Sequence, residues 1–127
     1  MDKLLDNIAN VHPYYLRVVA AGNEGELVYP DQENERYYYL TVGSLAKNIL
    51  TIGSASRLYS SPLEPIPSGF SSAGPTSDGR VKPDLVAVGE GMPVASWNSK
   101  EPESKVAYGS ASGTSFAAPA TTGGLAL

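Results

Sequence analysis

Leu16-Arg17-Val18-Val19-Ala20-Ala21-Gly22-Asn23-Glu24-Gly25 is the stretch that decides the architecture. Its first six residues form a short, β-prone and almost continuously apolar run, the pattern of a strand buried in a parallel sheet rather than one with a wet face. Gly22 and Asn23 end it, and a glycine-rich loop follows at once. Just upstream, Leu4, Leu5 and Ile8 recur at helical spacing, so that Asp2 to Ala9 reads as an amphipathic helix closed by His12-Pro13. A helix feeding a buried strand is the unit of an α/β domain.

Further along the chain the same alternation continues. Glu26 to Arg36 turns polar and acidic, with Asp31, Glu33 and Glu35, and reads as a solvent-facing excursion. Tyr38 to Val42 and Ile49 to Ile52 are both strand candidates, the second the stronger because it is β-branched and runs into Gly53. Tyr37-Tyr38-Tyr39 is read as packing in a sheet in preference to a peptide-binding aromatic patch. Pro62, Pro65 and Pro67 mark Ser60 to Gly69 as a surface loop. Asp84 to Val88 and Pro93 to Trp97 read as short strands. Lys105 to Tyr108 is the expected partner of the second, across the polar loop Asn98 to Ser104. A last helix is expected to begin near Ser115, with Pro119 confined to its first turn.

Composition narrows the function classes. The 127 residues, 42% of them apolar, suit one small domain, taken as residues 1–127. A formal charge of -4, with Lys and Arg scattered, argues against nucleic acid as a partner. No apolar run approaches the roughly 20 residues that cross a bilayer, so no membrane span is expected. There is no cysteine, hence no disulfide framework and no thiolate nucleophile. The first six residues lack the features of a signal peptide, and any export signal is expected upstream.

Two short motifs carry the chemistry. In Ser112-Gly113-Thr114-Ser115-Phe116-Ala117-Ala118-Pro119, a serine at the start of a helix lies in the positive field of the helix dipole, beside unpaired N–H groups that can receive an oxyanion. The plainer reading of the same residues is an N-cap at Thr114 or Ser115. In Val18 to Gly25, Asn23 just beyond a buried strand can present its amide to a site at the carboxyl end of the sheet, where open α/β folds bind ligands. Its plainer reading is a turn residue between glycines.

Taken together, the two motifs resemble the subtilisin-like serine peptidases, or subtilases. The family's nucleophile motif Gly-Thr-Ser-x-Ala-Ala-Pro is matched by Gly113 to Pro119, and its oxyanion motif Ala-Ala-Gly-Asn-Glu-Gly by Ala20 to Gly25. Ala46 to Gly53, and Phe70 to Pro75 through Lys82-Pro83-Asp84, are similar to the segments between them, in the family's order. The resemblance implies a partial subtilisin-like α/β fold, a mostly parallel sheet flanked by helices, corresponding to the carboxy-terminal part of a catalytic domain. It implies Ser115 as nucleophile, Asn23 with the Ser115 N–H as oxyanion hole, and Ala20, Ala21 and Gly22 as part of the wall that receives the residue before the scissile bond. The substrate of the intact parent would be a polypeptide, and the parent would be exported. No cofactor is identified. The family admits calcium, although Asp31, Glu33 and Glu35 lack the spacing of an ion loop.

Two departures stand out, Val88 where a proline is usual and an apparent insertion from Leu58 to Gly69. The family's aspartate and histidine motifs are expected upstream, in sequence outside these residues. His12, the single histidine, precedes a proline in no catalytic context, so the polypeptide alone is expected to be inactive. With its strand edge deprived of neighbours, the chain is expected either to associate with itself through that edge or to be only marginally stable. The alternative is a non-catalytic subtilase-like binding or scaffold protein. An esterase is disfavoured by the lack of a Gly-x-Ser-x-Gly elbow.

Overall fold

The computed structural model describes residues 1–27, 39–58, 63–96 and 108–127. Helix α1 (Asp2–Val11) ends at His12, whose N–H donates to the Ile8 carbonyl. Of its three expected apolar anchors only Leu5 is buried, packed on Ala46 and Ile49 with Val19 alongside. Leu4 is 62% exposed, because a single side chain and the bond from the Asn48 N–H to Asp6 Oδ1 (2.8 Å) suffice to seat the helix.

Strand β1 (Val18–Ala20) pairs in parallel with β2 (Leu50–Ala55), and β2 pairs in parallel with β3 (Leu85–Val88), giving a sheet of order β1-β2-β3. The register sets Val18 opposite Leu50 and Ile52 opposite Leu85. As the central strand, β2 is buried from Thr51 to Ala55. β1 is shorter than the apolar run Leu16 to Ala21, since Leu16 is exposed and Arg17 contributes only its carbonyl, to the Leu50 N–H. Val88 stands at the end of β3 opposite Ala55. β4 (Met92–Ala95) and β5 (Tyr108–Ala111) form a separate antiparallel pair, and helix α2 (Thr114–Leu125) packs on all three parallel strands.

Several expectations change. Tyr39 to Val42 is not a strand; the Thr41 N–H donates to the Ala21 carbonyl there, and the chain then turns at Ser44. The partner of β4 begins at Tyr108, and the expected residues 105–107 lie outside the described residues, as do Trp97, the loop Asn98 to Ser104, the acidic Asp31, Glu33 and Glu35, and Tyr37-Tyr38. Pro119 sits in the second turn of α2 rather than the first. Having no N–H, it leaves the Ser115 carbonyl without its usual intrahelical donor. Among the described residues no helix is long and apolar enough to cross a membrane, and no group of three His, Cys, Asp or Glu is placed to hold a metal.

The core is small and rich in hydroxyls, and among the described residues each buried Ser or Thr hydroxyl meets a partner. Thr51 Oγ1 donates to the Ser44 carbonyl at 2.7 Å, and Ser54 and Ser68 share a bond of 2.9 Å. The most demanding buried group is Lys82. Its Nζ donates to Asp84 Oδ2 at 2.6 Å and to the Ile49 carbonyl at 3.1 Å, while the same Asp84 oxygen accepts the Thr51 N–H at 2.7 Å. The pair thereby ties the start of β3 to the start of β2. In the loop before it, Arg80 Nε contacts both oxygens of the exposed Asp78 at 3.0 Å, and Arg80 Nη2 donates to the Leu45 carbonyl.

The lysine side chain is only 4% exposed and the aspartate 32%, so the two halves of the pair differ in consequence. Asp84→Ala strands a buried ammonium and should cost about 3 kcal/mol, the low end of the range for a broken buried pair because water reaches the carboxylate. Lys82→Met should cost about 1 kcal/mol, since Asp84 keeps its backbone donor and solvent. Urea unfolding of the two variants checks the order, and a larger loss for Lys82→Met would contradict it. The Arg80 guanidinium, helped by the Thr76 hydroxyl, lowers the Asp78 carboxyl from 3.8 to about 2. A depressed carboxylate contributes stability in full above its unfolded value and loses it as pH falls through the folded one. The Asp78 contribution should therefore persist above pH 3.8 and vanish towards pH 2. Carboxyl NMR titration should find this group near 2, moving up towards 3.8 in Arg80→Ala.

Candidate active site

The three parallel strands deliver their carboxyl ends to one edge of the sheet. Beyond β1 the chain continues through Ala21 and Gly22, both buried, to the exposed Asn23. Gly22 has φ 120°, and a Cβ there would lie 2.7 Å from Ser72 Oγ, so no larger residue fits the turn. The loop is then stitched down by residues 70–72. The Ser72 N–H donates to the Gly22 carbonyl at 3.0 Å, the Glu24 N–H to Ser72 Oγ at 3.1 Å, and Ser72 Oγ to Glu24 Oε2 at 3.0 Å. Because the loop is fixed at both flanks, Asn23 has little freedom of its own.

Helix α2 brings its amino terminus to the same edge. The Gly113 N–H donates to the Gly89 carbonyl just past β3 at 2.8 Å. A Cβ on Gly89 would come within 2.6 Å of the Gly113 carbonyl and 3.0 Å of Ala117 Cβ, so glycine sets the closeness of helix and strand end. At the other end of the sheet, Thr114, wholly buried, engages the loop after β1. Its Oγ1 accepts the Gly22 N–H at 3.2 Å, and its hydroxyl proton has two acceptors within reach, the Gly22 carbonyl at 3.2 Å and Asn23 Oδ1 at 3.1 Å. The Thr114 N–H donates to Asn23 Oδ1 at 2.8 Å. The helix start thus spans from the exit of β1 to the exit of β3.

That arrangement settles which way the Asn23 amide faces. A backbone N–H requires an acceptor, so Oδ1 turns to Thr114 and Nδ2 is left as an outward donor, with no partner among the described residues. Ser115, the second residue of α2 and next in sequence to Thr114, is exposed, with its N–H among the unpaired donors of the first turn. The helix has no side-chain cap: Gly113 is the N-cap, and neither Thr114 nor Ser115 plays that part. The backbone only bends at Asn23, the hydrogen-bonded turn running from Glu24 to Leu27, and the Asn23 side chain is the link between the two motifs, 91 residues apart.

Of the residues expected to line the pocket before the scissile bond, Ala20 is half-buried at the end of β1, while Ala21 and Gly22 are buried in the sheet edge. Ala21 donates its N–H to Ile52 and accepts from Thr41. The turn of backbone that follows Ala20 is therefore rigid. His12 is exposed at the end of α1, on the amino-terminal side of β1, in the wall of a 550 Å³ hollow with Ile8, Val11 and Tyr14. Asn23 lies on the carboxyl side of the same strand. Sequence reasoning gave Thr114 no role beyond a cap, although its position between the glycine and the serine was in view. Ser72 and Gly89 were likewise overlooked, because their parts depend on neighbours distant in sequence.

The family model of the subtilase family matches residues 2–127. Among solved structures, the patellamide maturation protease PatA is 25% identical over 97% of this chain with a TM-score of 0.62, and the self-cleaved protease domain of PatA matches with the same identity and score. The CspB protease of Clostridium perfringens is 28% identical over 72% of this chain, with a TM-score of 0.53. The chain spans 36% and 37% of the two PatA chains and 17% of the CspB chain. With this match along its length, and a parallel sheet whose carboxyl edge holds both signature motifs, the chain belongs to the subtilase family of serine peptidases.

Proposed function

We propose that this chain supplies the nucleophile and the oxyanion hole of a peptide-bond hydrolase, with Ser115 forming the acyl-enzyme and Asn23 Nδ2 together with the Ser115 N–H stabilising the tetrahedral oxyanion. The observation that carries the reading is the bond from the Thr114 N–H to Asn23 Oδ1, which leaves the amide donor free beside an exposed serine at a helix start. Donors held in place before reaction pay no reorganisation cost as negative charge develops, and removing one such donor in serine peptidases costs about 10²–10³ in kcat. Ala20, Ala21 and Gly22 would form the backbone wall for the residue before the scissile bond, and the small side chains there leave room for a sizeable one. The substrate is a polypeptide, in keeping with relatives named as proteases.

In this reading the chain by itself is close to inert. A serine hydroxyl needs a base to take its proton, and His12 stands on the wrong side of β1. The aspartate and histidine belong to the larger part of the domain that these residues do not match in PatA. A fluorophosphonate probe should therefore label the isolated chain no faster than its Ser115→Ala variant, while an intact domain containing this segment should be labelled at Ser115 and slowed about 10²-fold or more by Asn23→Ala. Rapid labelling of the isolated chain that survives His12→Ala would overturn the assignment of the base, and an intact domain labelled elsewhere than at Ser115 would overturn that of the nucleophile.

Among the described residues no strand pairs with the outer edge of β1 or of β3. Val18 and Ala20 on β1 direct backbone groups away from β2, and on β3 Leu85 is 48% and Val86 40% exposed. Open apolar strands invite pairing with another chain. The isolated chain should accordingly associate with itself or be only marginally stable, as light scattering and thermal unfolding will show. A monomer with a cooperative transition at high temperature would favour the scaffold alternative.

A further inference from the structure

Past the ends of β2 and β3 the same edge of the sheet carries a second cleft, of about 330 Å³, lined by Ser56, Arg57, Leu58, Glu90 and Gly91. Arg57 crosses from the exit of β2, and its Nη1 donates to the Gly91 carbonyl at 2.9 Å. The Gly91 N–H in turn donates to Ser112 Oγ at 2.9 Å, and Ser112 is three residues ahead of Ser115. The cleft wall is thus continuous with the segment that delivers the head of α2. Arg57 is held by a backbone carbonyl, not by the carboxylate beside it. Among the described residues no ion pair joins Arg57 to Glu90, and Nε and Nη2 of the guanidinium have no partner. One cleft therefore offers a positive and a negative group that do not neutralise each other.

Its position gives it a direction. The loop after β1 and the cleft lie on opposite sides of the α2 start, which is bonded to Gly22 at one end of the sheet and to Gly89 at the other. If the chain before the scissile bond runs along the exit of β1, the chain after it leaves past β3. We propose that the Arg57–Glu90 cleft is a subsite for the leaving-group side of the polypeptide, and that it selects a segment carrying one acidic and one basic side chain, the acid against Arg57 and the base against Glu90. The direction rests on the peptidase reading; the charge selection does not. A planar guanidinium whose Nε–Nη2 edge is open suits a carboxylate, and Glu90 disfavours a segment that is acidic throughout.

The test is an NMR titration of the ¹⁵N-labelled chain with Ac-Ala-Asp-Lys-Ala-NH2 and its Lys-Asp isomer, alongside versions with Asn in place of Asp or norleucine in place of Lys. The amide signals of Gly91 and Ser112 and the Arg57 Nε–H should move with one of the two doubly charged peptides. Loss of either charge should raise Kd about fivefold, the change expected of one well-formed exposed ion pair. Arg57→Gln should remove the dependence on Asp and spare that on Lys, and Glu90→Gln should do the reverse; either variant alone is sufficient if the other fails to fold. Equal Kd for all the peptides, no movement at Gly91 and Ser112, or charge dependence unaltered by the substitutions would overturn the proposal. Neither substitution touches Ser115 or Asn23. Labelling of an intact domain at Ser115 with no peptide selection sinks the subsite alone, and selection without labelling sinks the peptidase reading alone.

Discussion

The hydrogen bonds of Thr114 and Gly113 tie the head of α2 to the exits of β1 and β3. With its side chain buried and bonded to Gly22, and its N–H bonded to Asn23 Oδ1, Thr114 fixes the head of α2 over the exit of β1, while Gly113 fixes the preceding residue over the exit of β3. Each such bond contributes only about 1 kcal/mol net. Their importance lies in geometry: together they turn Asn23 Oδ1 to the Thr114 N–H and fix the start of the helix that carries Ser115. The rest of the molecule serves that constraint. Ser72 and Glu24 stop the loop from moving away, and Gly89 allows helix and strand end to meet without an intervening side chain.

The core that supports this edge is built differently from a typical aliphatic interior. β2 carries Thr51, Gly53, Ser54 and Ala55, and the segments over it add Ser68, Ser71 and Ser72. Small side chains bring backbones close together, and hydroxyls satisfy the carbonyls and N–H groups that such closeness buries. The cost is a low yield of apolar burial, and Leu85, Val86 and Leu16 remain exposed around the periphery. α2 has no charged residue, yet Pro119, Ala120 and Leu125 face outward.

A buried charge has been retained in this modest core. Lys82 and Asp84 flank Pro83 and join the entries of β2 and β3, whereas Thr114 and Gly113 join the head of α2 to the exits of β1 and β3. The lower pair sets the register of β3, and the upper contacts set the site. Buried ion pairs add little net stability but penalise alternative pairings severely, since a slip would leave the ammonium alone. That specificity suits a sheet whose outer strands are only three and four residues long.

The sequence by itself determined the class of fold, the strands at Ile49 to Ile52 and Asp84 to Val88, the helix beginning near Ser115, and the family, because each rests on local patterning or on an unbroken motif. It also singled out Ser115 and Asn23, though the same residues read in isolation were an N-cap and a turn. Only the tertiary structure decided that Gly113 caps the helix, that Thr114 holds the Asn23 amide with its donor outward, and that His12 lines a hollow with Ile8, Val11 and Tyr14. The reason is physical. Periodicity and turn chemistry act over a few residues and are written in neighbouring positions, whereas the orientation of Asn23 is set by a donor 91 residues away. The extent of β1 was misjudged for the same reason: Leu16 is as apolar as the strand it precedes, and only the end of its pairing with β2 puts it in solvent.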